Sequence, residues 1–361
     1  MIMITAEAVI DFSALRHNYD TLKSLCKGQK VIAVIKGNAY GHNAIKTAKS
    51  LPHADMFAVS RIEEAIELRK AGISQSIILL EGCFCRDDLN TASRYHLHTT
   101  IHCKEQLQDF IDTELPNLLH VWIKLDTGMH RLGFQPSELS DVVTRIESTQ
   151  QKLAGPVGFI SHFSCADHKD RTTTQKQLDH FIKETSHYPG PRTLANSAGI
   201  LYWPSAHFDY CRAGIALYGI SPNDYQTGKD IGLKPVMTLQ TKLIAVRKHA
   251  ANQPVGYGEI WTSKRDTLIG VVAMGYGDGY PRSAPTGTPV YINGRIIPIA
   301  GRVSMDMITV DLGPESTDKV GDIVEFWGNH LPIETVAKAT DTIPYELVIK
   351  LTNRVHKSNL L

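Results

Sequence analysis

The sequence predicts an α/β protein: an N-terminal (β/α)8 barrel, residues 1–230, followed by a mostly-β domain, residues 231–361. Three observations predict it. Short apolar runs alternate with helical patterns over the first ~220 residues, one pair per ~25 residues, which is the signature of parallel βαβ units. About eight such units in that length fit a closed barrel better than an open sheet. Beyond Pro235 the pattern turns strand-rich, and Asn293-Gly294 between "PVYI" and "RIIPI" is a type I′ hairpin signal.

The units follow in order. "AVIDF" (8–12) reads as a first strand, and "SALRHNYDTLKSL" as its helix with Ser13 as N-cap. "VIAVI" (31–35) precedes a loop and "NAIKTAKSL". "MFAVS" (56–60) precedes "RIEEAIELRKAG", with Ser60 and Glu63 as a capping box and Gly72 as the stop. "SIILLEG" (76–82) leads to "RDDLNTASRY", "LHTTIH" (97–102) to "KEQLQDFI", and "LHVWIKLD" (119–126) to "SELSDVVTRIES". "GPVGFISHF" (155–163) leads to "TTQKQLDHFIKETSH", and further short runs lie at 192–194 and 208–217. In the second part, "TLQTKLIAVRKH", "DTLIGVVAMGY", "TPVYINGRIIPIAGRVSMDMITVDLG" and "GDIVEFWG" read as strands. Only "IETVAKAT" and "YELVIKLTNRV" read as helices.

The 361 residues carry 38 Lys+Arg against 37 Asp+Glu, a net charge of +1, with no block of one sign. That excludes a nucleic-acid or polybasic membrane footprint. No apolar run approaches the ~20 residues of a spanning helix. The N-terminus lacks a charged segment ahead of an apolar core, so the expected compartment is the cytoplasm. Six scattered cysteines form no CxxC pair and are expected to be free thiols. No metal site is expected. His53, His96, His98 and His102 read as surface or helix-end residues, and Tyr257 as packing or site periphery.

Chemistry concentrates at strand ends, where barrels place it. Lys36 closes "VIAVIKGNAYGHN". It is either a solvated strand end or a lysine that can bond a carbonyl cofactor through its amine. Gly37 and Gly41 let the backbone approach a ligand, while Tyr40 and His42 offer a phenol and an imidazole. "ANSAGI" (195–200) suits a phosphate held by backbone N–H groups and Ser197, and Gly214 in "CRAGIALYG" can bring further N–H groups to it. On residue type alone Lys124 reads as a strand-end lysine paired with Asp126. "GYGDGY" lacks the helix and Lys-Ser/Thr of a phosphate-binding P-loop.

Eight blocks together, "VIAVIKGNAYGHN", "KLDTGMHRLGF", "ISHFSCAD", "ANSAGI", "CRAGIALYG", "MGYGDGYPR", "GRVSMDM" and "PYELVIKL", resemble the ordered motif set of bacterial alanine racemases. The resemblance spans the whole chain. It implies a pyridoxal 5′-phosphate (PLP) enzyme that interconverts L- and D-alanine for peptidoglycan, acting as an obligate homodimer with shared active sites. It implies that Lys36 holds PLP and is one acid/base group, and that Tyr276 of the partner subunit is the other. Tyr40, Asn196, Ser197, Gly214, Ile215 and Tyr345 would bind the cofactor phosphate region, Arg212 its ring nitrogen, and His162 its ring. Arg131 would orient Tyr40 and substrate and bond the phenolic oxygen of PLP. Met305 and Asp306 would border the substrate carboxylate, and Lys124 matches a position often carbamylated. Gly37 stands where alanine is usual and Ser304 where cysteine is frequent.

Three rivals stand beside this reading. A PLP-dependent basic amino-acid decarboxylase would carry an acid where this chain has Arg212 and a cysteine where it has Tyr276. A lone-barrel PLP carrier does not need the β domain. A broad-specificity racemase is expected to carry a secretion signal.

Overall fold

The structure is a computed structural model and describes residues 6–360. Residues 1–5 and 361, the outer ends of the two expected domains, lie outside the described residues. The chain divides into two compact units. One comprises Asn18–Leu217; the other joins the described residues up to His17 to those from Tyr218 onward.

The first unit is the expected barrel. Its strands are β2 (Lys30–Val34), β3 (Met56–Val59), β4 (Ile77–Leu79), β5 (His98–Ile101), β6 (His120–Lys124), β7 (Gly158–Ile160), β8 (Arg192–Thr193) and β9 (Tyr210–Ala213). All pair in parallel, and β9 returns to β2 with Ile32 opposite Arg212, which closes the ring. β-Branched and other apolar residues fill the strands, since a parallel strand is covered on both faces. Met56 to Val59 and Ile77 to Leu79 are all buried.

The apolar run at 8–12 does not belong to the barrel. As β1 (Glu7–Asp11) it lies in the sheet of the second unit, antiparallel to β10 (Met237–His249) and parallel to β18 (His356–Leu360). That sheet has eight strands. β11 (Pro254–Val255) pairs separately with β12 (Trp261–Thr262). β13 (Thr267–Val272) joins β10 to β16 (Ile308–Gly313). β14 (Pro289–Ile292), β15 (Arg295–Pro298) and β17 (Ile323–Trp327) complete the order β15-β14-β17-β10-β1-β18. The hairpin between β14 and β15 has positive φ at both Asn293 (43°) and Gly294 (86°), as a type I′ turn demands.

Two caps differ from expectation. The helix Phe12–Leu25 is capped by Asp11, whose Oδ1 accepts from Ser13 N–H and Ala14 N–H at 2.8 and 2.9 Å. Ser13 only donates to it, because a carboxylate outcompetes a hydroxyl as acceptor. The helix Ile62–Lys70 is closed by Glu64 rather than Glu63. The Glu64 Oε2 accepts from Ser60 N–H (3.0 Å) and Arg61 N–H (3.1 Å). Gly72, at φ +85°, ends that helix as expected.

His98 is also not a surface residue. It is buried in β5, stacked on His120 at 4.2 Å, and accepts the Trp122 indole N–H at 3.2 Å. Burial pushes its imidazole down to about 3. No helix among the described residues is long and apolar enough to cross a membrane.

Candidate active site

The residue after β2 opens an unusual turn. Gly37, Asn38 and Ala39 hold φ/ψ of 61/43°, 53/47° and 56/51°, and Tyr40 has φ 50°. This is a single left-handed helical turn, costly for residues with a Cβ. Its surroundings hold it. The Glu64 Oε1 accepts Gly37 N–H at 2.6 Å, Asn38 Oδ1 accepts Ala44 N–H at 2.8 Å, and the buried His42 donates Nδ1–H to the Ala39 and Tyr40 carbonyls at 3.0 and 2.9 Å. His42 and Glu64 are therefore scaffolding for the turn that presents Lys36 and Tyr40.

Lys36, Lys124, His162 and Arg212 all stand at the C-terminal ends of barrel strands, as expected. Arg212 is the fixed point. Its buried guanidinium donates to Thr193 Oγ1 (2.9 Å), the Ser161 and Leu194 carbonyls (2.7 and 3.1 Å) and His162 Nδ1 (3.1 Å). Guanidinium only donates, so His162 Nδ1 accepts and its proton sits on Nε2. Burial, then the cations Arg212, Arg131, Lys124 and Lys36, push His162 well below the ordinary histidine value, which keeps it neutral. Burial lowers Arg212 to about 10, still a cation at neutral pH.

The two lysines feel the same field. Burial lowers the Lys36 amine; Glu81 and Glu64 oppose this, and Arg131 and Arg212 add to it. Burial, Arg212 and Arg131 bring Lys124 down to about 8. The Lys124–Asp126 ion pair, the plainer of the two readings of Lys124, is not formed among the described residues. Asp126 instead builds the loop that carries Arg131. Its Oδ1 accepts the N–H groups of Gly128, Met129 and His130 at 3.0, 3.1 and 3.0 Å, and its Oδ2 faces His130 at 3.2 Å. Gly133, at φ +124°, closes this loop where a Cβ would sit 2.6 Å from Asp126 N.

A second group converges on Gly214. A Cβ there would lie 3.2 Å from Tyr40 Oη and 3.5 Å from Ser197 Oγ. Ser197 Oγ accepts from Gly214 N–H (2.9 Å) and Ala216 N–H (3.2 Å), which leaves its own O–H to donate. Asn196 caps the helix Ser197–Tyr202 by accepting Gly199 N–H at 2.9 Å, and Ile215 begins the turn after Gly214. Ser197, the Tyr40 phenol and the backbone at Gly214 make a cradle of hydrogen-bonding groups.

This set fits PLP on two counts. The cradle offers the hydroxyl groups a phosphate takes, and a Cβ at 214 would crowd the Tyr40 phenol at 3.2 Å. The Arg212 Nε–H makes no hydrogen bond among the described residues, which leaves one donor for an aromatic nitrogen.

In the second unit the structure groups Tyr276, Met305 and Asp306. Tyr276 N–H donates to the Ser304 carbonyl (3.0 Å) and Gly277 N–H to the Met305 carbonyl (2.9 Å). A Cβ on Gly275 would meet the Met305 carbonyl at 2.2 Å. Arg354, which the sequence did not single out, ties both loops: its Nε pairs with Asp278 (3.2 Å) and its Nη2 with Asp306 (2.8 Å). Thr352 donates to the Gly277 carbonyl at 2.9 Å. Tyr345 lies in the helix Pro344–Ile349, which leads into that segment. Tyr257 is exposed rather than packed, and Glu64, Glu81 and Arg354 carry no sequence signal beyond their charge.

The chain matches known proteins along nearly its whole length. Residues 10–222 match the family model described as alanine racemase, N-terminal domain, and residues 236–359 the model for the C-terminal domain. A biosynthetic alanine racemase of Escherichia coli O6:H1 is 53% identical over 354 residues, 98% of each chain. An alanine racemase of Vibrio parahaemolyticus is 50% identical over 353 residues, again 98% of each. Among solved structures, the biosynthetic alanine racemase of Pseudomonas aeruginosa superposes with a TM-score of 0.96 at 43% identity, covering 99% of this chain and 100% of that one.

Proposed function

The chain belongs to the alanine racemase family and is an amino-acid racemase, and on that footing we propose that it moves the α-proton of alanine with two of its own groups, Lys36 and Tyr276. The observation that carries this reading is the cradle of Gly214, Ser197 and Tyr40 beside the strand-end Lys36. It offers a phosphate a seat within the barrel unit that holds the amine. PLP, when bound, supplies an electron-withdrawing π-system that makes the substrate α-C–H acidic.

Everything else falls to the chain. Lys36 would hold the cofactor through its amine. Ser197, Gly214, Ile215, Tyr40, Tyr345 and the loop at Asn196 would hold the phosphate, and His162 would lie by the ring. Arg212 would meet the ring nitrogen with a donor, so that nitrogen must stay an acceptor. Lys36 Nζ would take or return the α-proton on one face, and Tyr276 Oη of the partner subunit on the other. Its lowered basicity suits Lys36 to work as a neutral base. Arg131 would orient substrate and the phenolic oxygen of the cofactor, held in turn by a carbamylated Lys124. Met305 and Asp306 would border the substrate carboxylate.

The expected division at 230/231 enters this reading as a cofactor region and a region that carries Tyr276. The strand Glu7–Asp11 is built into the sheet of the latter. The reading includes a homodimer working in the cytoplasm and supplying D-alanine to peptidoglycan.

The test is formation of D-alanine from L-alanine by the purified protein with and without PLP. Borohydride should fix the cofactor on Lys36, detectable as a modified peptide. Racemisation at full rate after exhaustive removal of PLP, or cofactor fixed on another lysine, defeats the proposal. Strains lacking the protein should need D-alanine for wall synthesis.

A further inference from the structure

Three side chains of the barrel unit that no step above uses come together from separate segments. Cys26 follows the helix Phe12–Leu25, Cys211 lies in β9, and His207 follows the short turn Pro204–Ala206. One ligating atom from each lies within 4.8 Å of the other two. Both cysteines are buried and free, and His207 is half-buried. Along β9, side chains alternate between faces. Cys211 therefore points away from the face that carries Arg212.

The chemistry of the three groups is selective. A cation with bonds of about 2.0–2.3 Å to nitrogen and sulfur holds its ligand atoms roughly 3.5–4 Å apart, inside the observed envelope. The His207 Nε2 lies 3.0 Å from the Ile200 carbonyl and 3.2 Å from that of Gly199. Carbonyls only accept, so Nε2 carries the proton and Nδ1 is the nitrogen with a lone pair. Metal-bound imidazoles are held in this way, with the second ring nitrogen donating to a carbonyl. Within the pair the Cys211 thiol lowers Cys26, while Cys26 and burial raise Cys211, so Cys26 is the thiol poised to ionise and Cys211 gives up its proton only to the bound cation.

We propose that Cys26, His207 and Cys211 form a binding site for a thiophilic cation on the outer side of strand β9. Two sulfurs and one nitrogen, with no carboxylate among them, favour Zn²⁺ or Cu⁺ over Mg²⁺ or Ca²⁺. Zn²⁺ would complete its tetrahedron with water through the half-buried His207 side; Cu⁺ would accept the three ligands alone. Binding replaces the thiol protons, which leave to solvent, and involves no change of oxidation state.

The test uses the PLP-loaded protein with Cys85, Cys103 and Cys165 replaced by serine, which removes the cysteines outside the buried set. It is loaded separately with Zn²⁺ and with Cu⁺ under reducing conditions and then dialysed. One equivalent per chain of either ion, with a raised unfolding midpoint, supports the site, and the arm that retains its ion identifies the cation. In the same background Cys26→Ser and Cys211→Ser should retain none. His207→Gln, at a half-buried position, should bind at least about tenfold more weakly. Retention of neither ion overturns the proposal. So does His207→Gln binding as tightly as its parent, an outcome that stands even where a cysteine variant fails to fold. Racemase activity is not the readout, so failure here leaves the function above untouched.

Discussion

At the scale of single residues, the site is a set of cations whose protonation the barrel controls. Lys124 is the sharpest case. With its amine at about 8, it is an ammonium repelled by Arg131 and Arg212 at lower pH and a neutral amine above. Only the neutral amine adds CO2, and the product carbamate reverses the charge facing Arg131. At fixed dissolved CO2, carbamate measured by ¹³C NMR should therefore rise as pH is raised through about 8, and fall to little in Lys124→Met. A signal that stays flat over that interval counts against carbamylation. Ser197 is the second case. Ser197→Ala removes the acceptor of the buried Ala216 N–H and of the partly buried Gly214 N–H. The expected cost is about 2 kcal/mol in urea unfolding, because each unmet N–H loses its desolvation compensation. PLP affinity should fall as well; unchanged affinity would remove Ser197 from the phosphate seat. Lys36, Ser197, Arg212 and Gly214 were legible because residue type and place at a strand end coincide. Glu64, Glu81 and Arg354 were not, since a carboxylate or guanidinium that braces a turn looks like any other charge until its partners are in place.

At the scale of elements, periodicity located the strands and most helices, because burial on both faces of a barrel strand leaves a continuous apolar run. It could not show handedness. "KGNAY" reads as a loop, and only Gly37 and Gly41 hint at positive φ, yet Asn38, Ala39 and Tyr40 share it. Left-handed backbone strongly disfavours a β-branched residue, and Ala39 is fully buried. Ala39→Val should thus destabilise by roughly 2–4 kcal/mol, strain and overpacking together. Ala39→Gly should lie within about 1 kcal/mol of the parent, since relief of strain offsets the lost methyl. Chemical denaturation of the pair decides this, and equal stability of the Val and Gly variants would mean the turn is not left-handed in solution. The final strand was missed for a different reason. His356–Leu360 is a polar edge strand without alternation, so nothing in "HKSNL" marks it.

At the scale of the whole molecule, local pattern identifies a strand but not its sheet. Glu7–Asp11 has the composition of a barrel strand and sits beside one in sequence, yet it is paired on both edges by strands more than two hundred residues away. Val9 lies between Thr238 and Ser358, so Val9→Pro should remove one ladder hydrogen bond and, through its ring, disturb a strand paired on both edges. Hydrogen exchange should then accelerate in Met237–His249 and His356–Leu360 ahead of the barrel strands; the reverse order would contradict the pairing. The same scale holds the proposal's central claim, that Lys36 and Tyr276 of one site come from different chains. Homodimers of Lys36→Ala lack the amine in every site, and homodimers of Tyr276→Phe lack the phenol in every site. A mixed dimer with shared sites has one site that takes Lys36 from one chain and Tyr276 from the other, both intact, and one site that lacks both. Statistical co-assembly in a two-fold dimer thus restores roughly a quarter of the native sites. If each chain instead used its own tyrosine, no combination of the two variants would contain an intact pair. Co-expressed and purified as the doubly tagged mixed dimer, the two variants should recover racemisation that neither shows alone. Silence from a folded, PLP-loaded mixed dimer would place both groups in the same chain.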